Sequence, residues 1–210
     1  MSHSANAPLN LRRTALVIID LQDDFLAPEG AYARGGAVSA AAQALPPRVA
    51  AVAQALKAAG GMVVGSQFTL WPDAQGEPMI SPHLKTLRPF LRRGDFAPGS
   101  AGQAMVSDIA PWVDVAVCKV AYSAFFNTQL DWVLRRAGID TVAVCGIVTN
   151  GGVASTVRDA HMRDHRTLVL SDGCAAFRQE VHDTALADMA TVAQVLTCND
   201  FTAALAAGTP

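Results

Sequence analysis

The stretch TVAVCGIVTNGGVASTVRDA, residues 141–160, contains a strand pattern, a turn and a helix pattern in direct succession. Residues 141–147 form a short apolar run rich in Val, which is typical of a strand buried on both faces of a parallel sheet. Residues 148–152 include two consecutive glycines and predict a tight turn. The last part presents apolar and small residues at helical spacing, at Val153, Thr156, Val157 and Ala160.

The same alternation of apolar runs and helical spacing extends over the rest of the chain. Strands are predicted at residues 14–20, 62–68, 113–119, 141–147, 167–171 and 192–197. Helical spacing recurs at Leu130, Val133, Leu134 and Ala137, and again at Val181, Ala185 and Met189. Thr128 followed by Asp131 has capping-box form, and Gly138 predicts the end of that helix. The predicted fold class is α/β, a three-layer α/β/α sandwich around a six-stranded, mostly parallel, Rossmann-like sheet.

Length and composition indicate one globular domain, because 210 residues with 51% hydrophobic and 16% charged residues can bury a substantial core. We expect a loose N-terminal tail at residues 1–12 and a single domain at residues 13–208. Residues 71–111 are rich in Pro and Gly and too irregular for a plain crossover, so they predict a lid or an oligomer contact.

The charge balance argues against several classes of partner. A formal net charge of −2 leaves no basic footprint for nucleic acid or for an anionic membrane. No apolar run approaches the roughly 20 residues that span a bilayer, and residues 1–10 lack the order of a signal peptide. The four cysteines have no metal-type spacing and are interpreted as reduced structural thiols. We therefore expect a cytoplasmic protein that acts on a small molecule, without nucleic-acid or membrane partners.

Three chemically distinctive segments come at the ends of predicted strands. Asp20 ends the first apolar run, Lys119 ends the third, and residues 148–152 follow the fourth. Ligands of open parallel sheets bind beyond the carboxyl ends of the strands, so these segments can converge. A buried carboxylate needs a partner, and Lys119 would supply one. Asp20 and Lys119 are the candidate catalytic pair; a helix N-cap or a purely structural ion pair is the alternative for Asp20.

Three segments resemble those of the isochorismatase-like hydrolases: ALVIIDLQDDF at residues 15–25, KVAYSAFF at residues 119–126 and CGIVTN at residues 145–150. That superfamily also contains nicotinamidases, N-carbamoylsarcosine amidohydrolases and ureidoacrylate amidohydrolases. The resemblance covers nearly the whole chain and implies the isochorismatase-like form of the sandwich. It also implies a homo-oligomer, either a dimer or a tetramer.

The resemblance implies roles for the turn. In the cysteine amidases of this superfamily, the matching Asp deprotonates a thiol at the position of Gly152, and the matching Lys organises the pair. Backbone amides matching Val148 and Gly152 stabilise the oxyanion, and a cis peptide matching Ile147–Val148 aims them. Gly152 keeps an amide but offers no nucleophile, so an acyl-enzyme is not expected. Cys174 is the only arguable substitute, and we expect it to be inert.

No metal and no cofactor is predicted. The nicotinamidase-like members carry an Asp-x-His pair and a further His after the second strand, whereas this chain has SQFTLW at residues 66–71. Asp73 and His83 lie nearby without reproducing that spacing. Surface or helix-face positions are expected for His83, His161, His165 and His182.

The resemblance to the isochorismatase branch, in which some members lack the cysteine, implies hydrolysis of a vinyl ether on a small carboxylated substrate. Asp20 would protonate the terminal carbon, water would add to the oxocarbenium ion, and pyruvate and an alcohol would leave. One alternative is a C–N hydrolase, of amide or ureido type, in which Asp20 activates water. The other is a non-catalytic paralogue that binds a ligand.

Four residues are candidate substrate contacts. Gln67 matches a substrate-contacting glutamine of the isochorismatases, and a strand-end hydrogen bond explains it equally well. Tyr122 and Phe126 belong to the loop that would wall the pocket, with core packing as the alternative for Phe125 or Phe126. Asn150 replaces an Asp common in the amidases and either contacts substrate or caps the following helix.

Overall fold

The structure, a computed structural model, describes residues 8–209 and contains a six-stranded sheet in the order β3-β2-β1-β4-β5-β6. Every pairing between neighbouring strands is parallel. This strand order is that of doubly wound, Rossmann-like sheets, and the six predicted strands are confirmed. The strands are β1 Thr14–Ile19, β2 Met62–Phe68, β3 Val115–Lys119, β4 Thr141–Ile147, β5 Arg166–Ala175 and β6 Gln194–Leu196.

Helices cover both faces of the sheet and complete the predicted sandwich. One layer includes α4 and α9, which pack on each other and on β5, and the other includes α7 and α8, which also contact β5. The helices are α1 Asp23–Leu26, α2 Ala31–Arg34, α3 Ala40–Gln43, α4 Leu45–Ala58, α5 Pro82–Leu87, α6 Leu130–Arg136, α7 Ala154–Met162, α8 Gln179–Met189 and α9 Cys198–Ala206. No helix within residues 8–209 is long and apolar enough to cross a membrane.

The two central strands explain why their sequences are almost continuously apolar. Every residue of β1 and of β4 is buried, because each strand has a neighbour on both edges and helices on both faces. The edge strand β3 differs, because Val117 and Lys119 are buried while Ala116 and Cys118 are exposed. Alternation along β3 therefore gives the strand one buried side and one exposed side.

Some boundaries differ from the prediction. β5 runs through residue 175 because its register with β4 shifts between Val144 and Gly146, which lets the strand continue past the predicted end. The capping box predicted at Thr128 and Asp131 is wrong, since α6 has Gln129 at its N-cap, but the Thr128 hydroxyl accepts the N–H of Leu130, the first residue of the helix, at 3.1 Å. The predicted helix end is confirmed: Gly138 has φ +70°, a conformation that glycine adopts without strain.

The expectation of a loose tail at residues 1–12 is wrong for the part that the structure describes. Residues 1–7 lie outside the described residues. Leu9 and Leu11 are buried, and the Leu11 N–H donates to the carbonyl of Thr209 at 2.8 Å. Asn10 forms a parallel bridge with the same residue. Burial of two leucines against the end of the chain offsets the conformational entropy that a free tail would retain.

The irregular region at residues 71–111 packs against the loop that follows β1. A second apolar cluster joins the two, and it consists of Ala31, Tyr32, Leu70, Leu91 and Phe96. The buried carboxylate of Asp24 also links them, because it accepts the N–H of Ala31 at 3.0 Å and that of Phe96 at 2.7 Å. The role of this region as a lid or an oligomer contact stays a prediction.

Candidate active site

Asp20 and Lys119 meet at the carboxyl end of the sheet. Asp20 follows β1, Lys119 ends β3, and β2 lies between them, with Phe68 in register with Lys119. The Lys119 Nζ lies 2.6 Å from the Asp20 Oδ2, and both side chains are almost fully buried. Such a short, charge-assisted contact fixes the orientation of both groups. The sequence-based expectation that these two residues converge is therefore supported by their geometry.

Each member of the pair has a further polar partner. The Ser66 hydroxyl, from β2, donates to the Asp20 Oδ1 at 2.7 Å. The Lys119 ammonium donates to the carbonyl of Ala121 at 2.9 Å and lies 5.6 Å from the centre of the Phe68 ring. Ser66 is not among the residues that the sequence predicts for the site, because its place beside Asp20 depends on the pairing of β2 with β1.

Two features set the chemistry of Asp20. Its φ of +53° is a left-handed conformation that residues other than glycine adopt rarely, and it turns the chain just after β1. Burial raises the pKa of Asp20 above its ordinary 3.8, while the charge and hydrogen bond of Lys119 and the hydroxyl of Ser66 oppose that rise. A carboxyl group whose pKa is raised is suited to proton transfer nearer to neutral pH.

The glycine turn, residues 148–153, faces Asp20 and Lys119. A π-helical turn at Thr149–Val153 follows β4, and the peptide bond Ile147–Val148 is cis, as the resemblance implied. A Cβ atom at Gly152 would lie 3.5 Å from the Asp20 Oδ2 and would press on the Ile19 side chain. The turn therefore brings the position of the missing nucleophile into direct contact with the candidate acid or base.

The backbone of the turn leaves an amide N–H available for a ligand. The Val148 carbonyl accepts the N–H groups of Gly151 and Val153, at 2.9 Å and 3.3 Å. The backbone N–H of Val148 has no hydrogen-bond acceptor among residues 8–209. The Gly152 amide lies in the first turn of a helical segment that continues into α7, where N–H groups favour negative charge. The roles of Val148 and Gly152 as oxyanion donors remain a prediction that this geometry supports.

The candidate substrate contacts have different surroundings. The Tyr122 ring lies beside the glycine turn, since its Cε1 would be 3.2 Å from a Cβ atom at Gly151. Phe126 is exposed, whereas Phe125 is buried and packs under Arg163, which fits the core-packing alternative for Phe125.

The neighbours of Gln67 and Asn150 differ from those of Tyr122 and Phe126. The Gln67 amide donates to the carbonyl of Gln103 at 3.0 Å, and alternation places it on the face opposite Ser66. This favours the strand-end hydrogen bond over a substrate contact. Asn150 is exposed and borders a surface groove with Arg158 and Asp188, and the π-helical turn has no side-chain cap. The capping prediction for Asn150 is therefore wrong.

The cysteines do not replace the missing nucleophile. Cys174 is buried in β5 beside Gly146, and burial raises its pKa far above the ordinary range for a thiol. Burial likewise raises the pKa of Cys145, and that of Cys198 to about 12. Cys118 is exposed on the side of β3 opposite Lys119. A thiol that stays protonated is a poor nucleophile, which agrees with the expectation that Cys174 is inert.

The histidines are arranged partly as expected. His83 and His161 are exposed, but His165 is buried and stacks on Phe125 at 6.2 Å, so its surface prediction is wrong. His182, from α8, contacts the hydroxyl of Thr149 in the glycine turn at 2.8 Å. Within the described part of the chain, no group of three His, Cys, Asp or Glu side chains is placed to hold a metal ion. The donors present do not fit the metal of the nicotinamidase-like members.

Comparisons with known proteins agree with this geometry. The family model for the isochorismatase domain matches residues 14–200. The ureidoacrylate amidohydrolase RutB of Azorhizobium caulinodans is 34% identical over 172 residues, which are 77% of this chain and 76% of that protein. RutB of Yersinia enterocolitica is 37% identical over 171 residues, covering 76% and 74%.

Solved structures show the same fold. A cysteine hydrolase from Pseudomonas syringae pv. phaseolicola superposes with a TM-score of 0.83 at 27% identity, covering 96% of both chains. An N-carbamoylsarcosine amidase from Thermoplasma acidophilum superposes with a TM-score of 0.70 at 25% identity, covering 89% of this chain and 97% of that one.

Proposed function

The chain belongs to the isochorismatase domain family, and from this membership we propose that it is a hydrolase that cleaves a C–N bond, of amide or ureido type, in a small carboxylated substrate. The sequence motifs favour vinyl-ether hydrolysis, with C–N hydrolysis as the alternative. The relatives favour C–N hydrolysis, because the RutB proteins that match over three quarters of the chain are ureidoacrylate amidohydrolases.

One observation carries the mechanism: the backbone of Gly152 adjoins the Asp20 carboxylate, whose Oδ2 lies 3.5 Å from the Cβ position of residue 152. Because glycine supplies no thiol, a water molecule beside the Asp20 carboxylate acts as the nucleophile. Asp20 removes a proton from this water, and the oxygen forms a bond to the substrate carbonyl carbon. The N–H groups of Val148 and Gly152 stabilise the oxyanion. The C–N bond then breaks as Asp20 returns the proton to the leaving nitrogen.

Lys119 supports this role of Asp20 in two ways. Its ammonium group, 2.6 Å from the Asp20 Oδ2, opposes the effect of burial and keeps the ionised carboxylate accessible. Its charge also balances the charge of the carboxylate, which would otherwise be costly to bury. Ser66 holds the second carboxylate oxygen and thereby fixes the direction in which Asp20 accepts a proton.

A second candidate function follows from the pKa of Asp20. Because burial raises this pKa, the carboxyl group also suits the acid role that vinyl-ether hydrolysis requires. The proton would go to the terminal carbon, water would add to the oxocarbenium ion, and the hemiketal would collapse to pyruvate and an alcohol. Neither route needs a nucleophilic side chain.

The deciding experiment measures two products in parallel. Ammonia release is followed with a panel of amide and ureido carboxylates, and pyruvate release with isochorismate. The proteins compared are the wild type, Asp20→Asn and Asp108→Asn, an exposed aspartate as control. Asp20-dependent ammonia release supports the proposal, and Asp20-dependent pyruvate release selects the second candidate. Tight binding without turnover of any of these compounds would show a non-catalytic paralogue and overturn both.

A further inference from the structure

Arg88 and Tyr32 form a polar contact that the mechanism does not use. Arg88 directly follows α5, and its Nε donates to the Tyr32 hydroxyl at 3.3 Å. Arg88 is partly buried and Tyr32, in α2, is buried. The contact joins the irregular region at residues 71–111 to the loop after β1, which carries Asp20 at its start.

Aromatic contacts connect Tyr32 to the candidate active site. Its ring lies 4.6 Å from Phe25, which lies 6.1 Å from Phe68, the ring beside the Lys119 ammonium. Burial raises the pKa of Tyr32, Arg88 opposes this, and the charges of Tyr122 and Asp20 add to the rise. These ring contacts link Tyr32 to Phe68, the ring next to the Lys119 ammonium.

Both groups keep hydrogen-bond donors that their protein neighbours do not use. The Tyr32 hydroxyl accepts from Arg88, and within residues 8–209 it donates to no acceptor. The guanidinium of Arg88 donates to the carbonyl of Leu87 at 2.9 Å, and no carboxylate of the described residues lies within 4.0 Å of it. A guanidinium fork beside a phenol O–H matches the acceptor pattern of a carboxylate.

Tyr32 is held in place by groups other than Arg88. The Asp24 carboxylate accepts the N–H of Ala31, next to Tyr32, and the N–H of Phe96 in the irregular region. The Tyr32 ring also stacks on Phe177 with an interplanar angle of 6°. Donors fixed in this way lose little conformational entropy when they bind an anion.

We propose that Arg88 and Tyr32 bind the carboxylate group of the substrate and so determine specificity for ureido or amide compounds that carry an acid group. This inference rests on the proposed function, because it assumes that the scissile bond lies beside Asp20. Arg88 supplies the charge and the fork, and Tyr32 supplies an additional O–H donor. Neither residue takes part in the proton transfers.

The test compares two ligands of the same length, 3-ureidopropionate, which ends in a carboxylate, and 3-ureidopropionamide, which ends in a neutral carboxamide. Calorimetric titration measures their binding to the wild type, Arg88→Gln, Arg88→Lys, Tyr32→Phe and, as control, the exposed Arg92→Gln. We expect the wild type to prefer the carboxylate at least about tenfold, Arg88→Gln to weaken its binding about 10- to 100-fold, and Tyr32→Phe about tenfold. Binding of the neutral amide should not change, and Arg88→Lys should recover only part of the loss.

The readouts separate this inference from the proposed function. If ammonia is released, Arg88→Gln should raise KM for the carboxylate and leave kcat unchanged. Arg88-dependent binding without turnover would support the carboxylate site and contradict the hydrolase. The carboxylate site itself is overturned if the wild type binds neither compound, if it binds both equally, or if Arg88→Gln weakens both equally. Thermal unfolding of each variant identifies any loss that comes from misfolding.

Discussion

The Cγ2 methyl group of Ile19 lies 2.8 Å from the position that a Cβ atom of residue 152 would occupy. Ile19 is the last residue of β1, is fully buried and immediately precedes Asp20. Its branched side chain has little rotamer freedom, so it cannot move away cheaply. The glycine turn therefore packs so closely against the end of β1 that residue 152 has little room for a side chain.

The first prediction tests this packing with Gly152→Cys. We expect the added side chain to lower the free energy of unfolding by about 1–3 kcal/mol, because it overpacks a buried contact. Ile19→Ala alone should cost about 2–5 kcal/mol through the cavity it leaves. Since the new side chain fills part of that cavity, the double variant should lose at least about 0.5 kcal/mol less than the sum. Urea unfolding of the four proteins measures this, and strict additivity would contradict it.

The second prediction concerns pH. If Asp20 is the base of C–N hydrolysis, kcat/KM should rise with pH through the pKa of Asp20, which burial holds above 3.8, and then level off. If Asp20 is the acid of vinyl-ether hydrolysis, kcat/KM should fall over the same range. A pH–rate profile distinguishes the two directions. Ser66→Ala removes a hydrogen bond that lowers this pKa, so the inflection should move to higher pH in either case.

The third prediction concerns the stability of the buried ion pair. Lys119→Met should lower the free energy of unfolding by about 3–5 kcal/mol at neutral pH, because it leaves the Asp20 carboxylate buried without a countercharge. Combining it with Asp20→Asn should restore part of the loss. Arg93→Met, which breaks an exposed pair with Glu77, serves as control and should change stability by less than about 1 kcal/mol. Equal losses for Lys119→Met and Arg93→Met in urea unfolding would show that burial does not strengthen the pair.

The fourth prediction concerns thiol reactivity. Iodoacetamide at neutral pH should modify the exposed Cys118 first and leave Cys145 and Cys174 unmodified in the folded protein, because burial raises the pKa of those two thiols. Hydrolysis should survive the treatment. Mass spectrometry of the modified protein identifies the sites, with Cys118→Ser as control. Inactivation that tracks modification of Cys174 would restore a covalent mechanism.

Much of the fold was predictable because the physical signals are local. A central parallel strand is buried on every side, so β1 and β4 appear in the sequence as apolar runs with sharp ends. Asp20 and Lys119 were visible for the same reason, as charges that close such runs. Their convergence followed from the rule that ligands bind at the carboxyl ends of parallel strands.

Other parts of the site depend on contacts between distant segments. Nothing in the local sequence of Ser66 or Tyr32 shows that one faces Asp20 and the other meets Arg88. The capping interpretation of Asn150 used a residue preference that holds for α-helices, whereas a π-helical turn begins here. Leu9 is buried because of a partner at the far end of the chain, which no sequence window includes.

The strand order places Asp20 and Lys119 on strands with different numbers of neighbours. Asp20 follows a central strand, whereas Lys119 belongs to β3, an edge strand paired only with β2 among the described residues. Edge elements open more readily than the centre of a sheet. When β3 separates, the carboxylate and the glycine turn stay in place but the ammonium is withdrawn. Local opening of β3 would therefore inactivate Asp20 without unfolding the domain. Hydrogen exchange at residues 115–119 would then report the same opening event that causes the loss of activity.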